Sequence, residues 1–152
     1  MASKAPSLAA VIATMSPSAA IADLSMMEVP DDSPDFALVE AWNDRQIALA
    51  MIEERGRYYD ADSHAPRALK MFDAAEKRIS QLPATTFPGI LAKLWLALAA
   101  SGGQITDEED RAQSDAIRRA DLAEVEAFEV ELEYEQSTIL SAIRDLDRKV
   151  RA

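Results

Sequence analysis

The stretch that most constrains this chain is Phe87–Ala100, closed at both ends by turn residues. Ile90, Leu91, Leu94, Trp95, Leu96 and Leu98 leave no polar face, and Lys93 is the single charge. A membrane span needs about 20 apolar residues, and this run falls short of that. A helix apolar all round is buried on several sides, so the run reads as the central helix of a bundle. An exposed docking face and a membrane-associated segment are the alternatives. Thr85 or Thr86 is the expected N-cap, its hydroxyl accepting from a first-turn amide. Pro88 in that first turn sacrifices only an amide with no helical partner. Gly102 and Gly103 supply positive φ at the other end.

The flanking sequence is helical too. Ser33-Pro34-Asp35 offers a cap, a first-turn proline and an acid for the positive end of the dipole. Leu38, Trp42, Leu49, Ile52 and Tyr59 then recur at helical spacing, with Gly56 a candidate terminator and Tyr58–Ser63 a turn. A second helix is expected from about Ala65 to Leu82, capped by Asp62 or Ser63, burying Ala65, Leu69, Phe72, Ala75, Ile79 and Leu82. The short links suggest that these two helices form an antiparallel hairpin. After the apolar helix, Thr106-Asp107-Glu108-Glu109 matches a capping box. The helix it opens can run almost to Ala152, roughly 65 Å at 1.5 Å per residue, so it must kink, project or pair with another chain. Phe128, Ile139 and Val150 are spaced by eleven, as are Leu132 and Ile143. That period belongs to a nearly straight helix, not to a left-handed heptad coil. Asp107–Asp121, with mainly alanines and Ile117 on its apolar side, is the weakly packed portion where a bend is expected.

The fold class is therefore all-α, with about four helices over 33–152 and a flexible tail over 1–32. Lys4, the apolar run Leu8–Met15 and Ser18-Ala19-Ala20 only faintly imitate a secretory signal. Leu8, Val11, Ile12 and Met15 could instead form a short docking helix. Glycine is scarce and Ala, Leu, Glu and Arg abundant, which favours helix over sheet. The absence of cysteine removes disulfides and thiolate chemistry, and fits a reducing compartment. Net charge is −11, and it is localised: between Asp107 and Glu135 there are 12 acidic against 3 basic residues. Direct nucleic-acid binding needs a basic surface. The nearest basic group, Arg144, Arg148, Lys149 and Arg151, reads as the cationic end of a helix.

Motifs for catalysis are missing. His64 is the one histidine, and Asp60-x-Asp62-x-His64 could present donors to a divalent metal. A calcium loop fails, with Ala65 and Met71 where its glycine and bidentate Glu belong. A turn with an N-cap is the simpler reading of those residues. No Glu-x-x-His serves a di-metal bundle, no nucleophile elbow is present, and Ser101-Gly102-Gly103 ends a helix instead of opening a phosphate loop. Any carboxylate pair chosen for acid–base work would be arbitrary. The expectation is a non-enzyme with no cofactor and no metal.

The densest polar feature is Glu124, Glu126, Glu129, Glu131, Glu133 and Glu135. Like charges at i,i+4 each cost a few tenths of a kcal/mol, ~0.2–0.5, so packing of Val125, Phe128 and Leu132 must offset them. Such a row is a solvated face, a surface for a basic protein, or a mimic of a phosphate backbone. Trp42, Trp95, Phe72 and Phe128 read as core, and the methionines as gap fillers.

Two segments resemble a known family. Pro83-Ala84-Thr85-Thr86-Phe87-Pro88-Gly89-Ile90-Leu91-Ala92-Lys93 resembles the PATTxxGxxAK turn and helix of small uncharacterised helical proteins from alphaproteobacteria and their prophage-like regions. Ser141-Ala142-Ile143-Arg144-Asp145-Leu146 resembles the SxxRDL ending of some of them. The resemblance covers about a third of the chain, excludes the acidic segment, and implies a bacterial, cytoplasmic protein with no implied activity. The expected function is that of a structural or adaptor protein working through helix–helix contacts, with a protein partner or a homodimer and neither nucleic acid nor membrane. The candidate contact residues are Glu126, Glu129, Glu133, Phe128, Leu132 and Ile139. The alternative is an acidic inhibitor or DNA mimic bound to a nucleic-acid-binding protein.

Overall fold

The computed structural model describes residues 25–102, 105–128 and 131–152. Among them the chain is all-helical and has no strand. The helices are α1 (Phe36–Glu53), α2 (Ala61–His64), α3 (Pro66–Gln81), α4 (Phe87–Ala100), α5 (Glu108–Arg119), α6 (Leu122–Ala127) and α7 (Tyr134–Arg151), with a 3₁₀ turn at Tyr58–Asp60 before α2. The expected signal, the docking helix at Leu8–Met15 and the cap at Gly103 lie outside the described residues. So do residues 1–24 of the expected tail. The remainder of that segment packs: Met27 is buried, and its backbone N–H and C=O both bond the Asn43 side chain, each at 2.9 Å.

Two pairs dominate the packing: α1 against α3, and α4 against α7. The apolar helix α4 is central, since it also meets α1, α3 and α5. Leu38, Trp42, Leu91, Trp95, Leu98, Val125, Leu140 and Ile143 share one core. Ala48, Leu49, Ile52, Ala65, Ala68 and Phe72 form a second under the short helix α2. Helix α1 thus supplies both, its first half to one and its second half to the other. Each fully buried Leu, Ile or Phe contributes about 1.5–3 kcal/mol relative to exposure.

The long C-terminal helix is the main departure. It is three helices, broken at Ala120 and again between Phe128 and Glu133. At the first break Ala120 takes a left-handed conformation, φ 56°, that an L-residue with a Cβ adopts reluctantly. The turn closes in Schellman fashion, with Asp121 N–H donating to Ala116 C=O at 3.2 Å and Ala120 N–H to Ile117 C=O at 3.0 Å. Asp121 then caps α6 by accepting from Glu124 N–H. At the second break Glu133 and Gln136 form a capping box for α7.

Four expected caps also differ. Thr86 is the N-cap residue of α4, but its side chain caps nothing. Ser33 and Pro34, expected as cap and first-turn proline, both lie before α1, and Asp35, expected as a first-turn acid, is the N-cap residue, with a side chain that does not cap the helix. The N-cap of α3 is Ala65, while Asp62 and Ser63 belong to α2. Asp107, not Thr106, caps α5 by accepting from Asp110 N–H at 2.8 Å, and Thr106 donates N–H and O–H to the Asp110 carboxylate.

Candidate interaction surface

The buried polar groups come first, because a functional cleft would draw on them. Asp35 is 1% exposed. Its carboxylate accepts from Thr85 N–H (3.0 Å), Thr85 Oγ1 (3.0 Å), Thr86 N–H (2.7 Å) and Thr86 Oγ1 (2.6 Å). The two threonines thus cap α4 with a carboxylate borrowed from the start of α1, an anion at the positive end of a helix dipole. Burial alone would push the Asp35 carboxyl up. The donors from Thr86 and Thr85 outweigh it and hold the group below its ordinary value. Gly89 is what allows the approach: a Cβ there would overlap Asp35 Oδ2 and lie 2.8 Å from its Cγ. The Pro83–Gly89 segment is therefore a joint between two helices.

Arg45, also 1% exposed, is a second joint. Its Nη1 donates to Arg118 C=O (2.7 Å) and to Gln46 Oε1 (2.6 Å), and Gln46 Nε2 donates to Arg119 C=O (2.9 Å). These two side chains of α1 satisfy carbonyls at the negative end of α5, where a cation is favoured, and so hold the break at Ala120. The guanidinium lies over the Phe72 and Trp42 rings, 4.7 and 5.2 Å from their centroids. Its Nε forms an ion pair of 3.8 Å with Glu76 and no hydrogen bond. Burial lowers the Arg45 pKa to about 10, against the opposing pull of Glu76.

His64 is a third. Its Nδ1 faces Asp60 C=O at 2.6 Å and its Nε2 faces Ile52 C=O at 3.3 Å. Both ring nitrogens thus meet backbone oxygens of the turn and of the end of α1, and neither points to the Asp60 or Asp62 carboxylate. Gly56 (φ 150°) lies against this ring. Among the described residues no group of three or more His, Asp or Glu is arranged to hold a metal ion.

The outer surface carries two unusual patches. The first is on α4. Leu91, Ala92, Trp95 and Leu98 face the core, while Phe87 (48% exposed), Ile90 (37%), Ala97 and Ala100 face out, with Leu94 half-buried between them. Apart from Lys93 this outer face is apolar. Lys149 of α7 sits over its Phe87 edge, 5.3 Å from the ring centroid. No helix among the described residues is long and apolar enough to cross a membrane.

The second patch is acidic. The Glu131 carboxyl is pushed up by a hydrogen bond shared with Glu109, then by burial and by the charges of Glu109, Asp107 and Asp110. Carboxylates from the start of α5 and from the segment before α7 therefore crowd one another.

The six residues singled out from sequence fall into three groups. Phe128, Leu132 and Ile139 are partly buried and pack on this chain's own core. Glu126 accepts from Arg144 Nε at 2.8 Å, and Glu133 belongs to the α7 capping box. Glu129 lies outside the described residues. The Asp35, Arg45 and Gln46 joints were not anticipated, because their partners lie about fifty or more positions away.

Comparison of the chain with protein-family models, with curated proteins and with solved structures finds no match.

Proposed function

We propose that this protein is a non-catalytic interaction module that docks a helix of a partner protein on the outer face of α4. The observation that carries it is the face itself. Phe87, Ile90, Leu94 and Ala97 recur at three- and four-residue spacing, the pattern by which one helix anchors to another, on the helix that the rest of the bundle holds rigid. Exposed apolar patches of this kind mark interaction sites in soluble proteins. The buried side chains Asp35, Arg45 and Gln46 and the half-buried His64 all take part in joining helices, which leaves the outside for work. The resemblance carried by Pro83–Lys93 supports a bacterial cytoplasmic setting for such a module, with prophage-like elements as one source. Affinity capture from the native host tests it. A partner recovered with the wild-type chain should be lost with Ile90→Glu/Leu94→Glu while circular dichroism is unchanged. An unchanged set of captured proteins would refute the docking role.

The crowding of Glu109 and Glu131 favours a second reading, an acidic face for a basic, nucleic-acid-binding protein. Carboxylates that repel one another in the free chain gain from a cationic partner. Glu109→Lys/Glu131→Lys should abolish such an association, and raised salt should weaken it; an association indifferent to both rules this reading out.

A further inference from the structure

Resting on the docking role of the outer face of α4, we infer that the helix docked there is acidic, with carboxylates flanking its apolar anchors to meet Lys93 and Lys149. The chain carries 27 acidic and 16 basic side chains, yet no Asp or Glu occurs between Glu76 and Asp107. Lys93 is the single charge of α4, three residues after Ile90 and four before Ala97, so helical spacing sets it on the same face as both. Lys149 stands at the other charged point, over the Phe87 ring at the edge of the face. Among the described residues neither lysine has an ion pair or a hydrogen bond. The acids nearest Lys149 along α7 are engaged already: Asp145 pairs with Arg148 at 2.6 Å and Asp147 with Arg151 at 2.8 Å. Elsewhere in the bundle Arg57, Arg78, Arg119 and Arg144 each pair with a carboxylate. Two cations without a carboxylate, on a chain of net charge −11, therefore mark the one face that the acids avoid.

An apolar stripe supplies affinity, and the charges beside it choose among partners. A helix laid along Phe87, Ile90, Leu94 and Ala97 brings its flanking positions beside Lys93 and Lys149. Carboxylates there gain an ion pair at each; lysines there meet like charge. Phe87 and Lys93 are six positions apart on α4, about 9 Å at 1.5 Å per residue, so the two carboxylates belong one to two turns apart on the partner. A second copy of this chain fits poorly. It would bring two cationic faces together with no carboxylate on either α4 to meet them, between molecules that repel through their net charge.

The probes are two helical peptides with the same leucines at three- and four-residue spacing, one with glutamates and one with lysines at the flanking positions. The chain has no cysteine, so Ala100→Cys at the exposed end of α4 carries an environment-sensitive fluorophore that reads occupancy of this face alone. The glutamate peptide should bind about tenfold more tightly than the lysine peptide, a preference that shrinks as salt is raised. Attraction to the net charge of the chain would give the opposite order. Lys93→Glu/Lys149→Glu should reverse the preference, and Ile90→Glu/Leu94→Glu should abolish binding of both peptides, with circular dichroism unchanged in each variant. Equal binding of the two peptides, tighter binding of the lysine peptide, or indifference to Lys93→Glu/Lys149→Glu would overturn the acidic partner and leave the apolar docking face standing. Binding of neither peptide would overturn both.

Discussion

Gly89→Ala puts the Asp35 joint to a test in which the sign itself is informative. In an ordinary helix interior the exchange stabilises by about 0.8–1 kcal/mol, because alanine is the better helix former. Here the new Cβ would overlap Asp35 Oδ2 and approach Cγ to 2.8 Å and Cβ to 3.3 Å. Rotating the carboxylate does not clear the last two contacts; the first turn of α1 must move. Moving it breaks bonds from two amides and two hydroxyls to one buried charge. Hydrogen bonds to a charged group contribute about 1.5–3 kcal/mol each, and these share one acceptor, so they do not add fully. The expected loss is about 2–4 kcal/mol, a large part of the ~5–15 kcal/mol of a typical domain. Denaturant titration measures it, with an unchanged slope showing that only stability moved. The double variant Asp35→Ala/Gly89→Ala supplies the control. With the carboxylate gone the Cβ meets little, so the double variant should be no less stable than Asp35→Ala alone. A neutral or stabilising Gly89→Ala, or costs that simply add, would refute the account of the joint.

The pH dependence should have two limbs. The depressed Asp35 carboxyl contributes stability that is present above its unfolded value of ~3.9 and is lost as pH falls through its folded value, so the gap between wild type and Asp35→Asn should close in acid. Asp44, Glu53 and Glu76 are raised chiefly by burial and act with the opposite sign: their contribution is present below the unfolded value and lost as pH rises. Stability should therefore peak at mildly acidic pH, and a thermal-melt series over pH 3–8 reads this directly; a flat profile contradicts it. Arg45→Lys removes the planar fork that bridges Gln46 Oε1 and Arg118 C=O, and should cost about 1–3 kcal/mol in denaturant titration. His64→Ala frees the end of α1 and the following turn, so limited trypsin digestion should cut faster after Arg55 and Arg57, with about 1–2 kcal/mol lost overall.

The helices themselves were legible because they are written in local signals. Pro88 sits in a first turn as expected, although Pro34 falls before its helix, and the stripes through Leu38, Trp42, Phe72, Ile79 and Ile143 all reach a core. The caps were misread because a threonine before a helix looks the same whether its hydroxyl accepts from the next turn or donates to a carboxylate fifty residues away. The break at Ala120 carries no glycine or proline. It is held by Arg45 and Gln46 from another helix, a contact no window on the C-terminal segment contains. Asp121-x-x-Glu124 and Glu133-x-x-Gln136 both have the spacing of helix starts. For the interaction surface, a stripe read in one dimension cannot say whose core it fills. Phe128, Leu132 and Ile139 pack on their own chain, while on α4, apolar on every side, only the packing reveals which residues remain outside.

The proposed docking role is tested most directly by a photo-crosslinking side chain placed at Ile90 on the outer face of α4, with one at the exposed Asp62 as reference, in the native host. The interaction reading predicts a discrete protein adduct from position 90, lost when Leu94→Glu is added, and none from position 62. No adduct at position 90, or the same adducts from both positions, would contradict it.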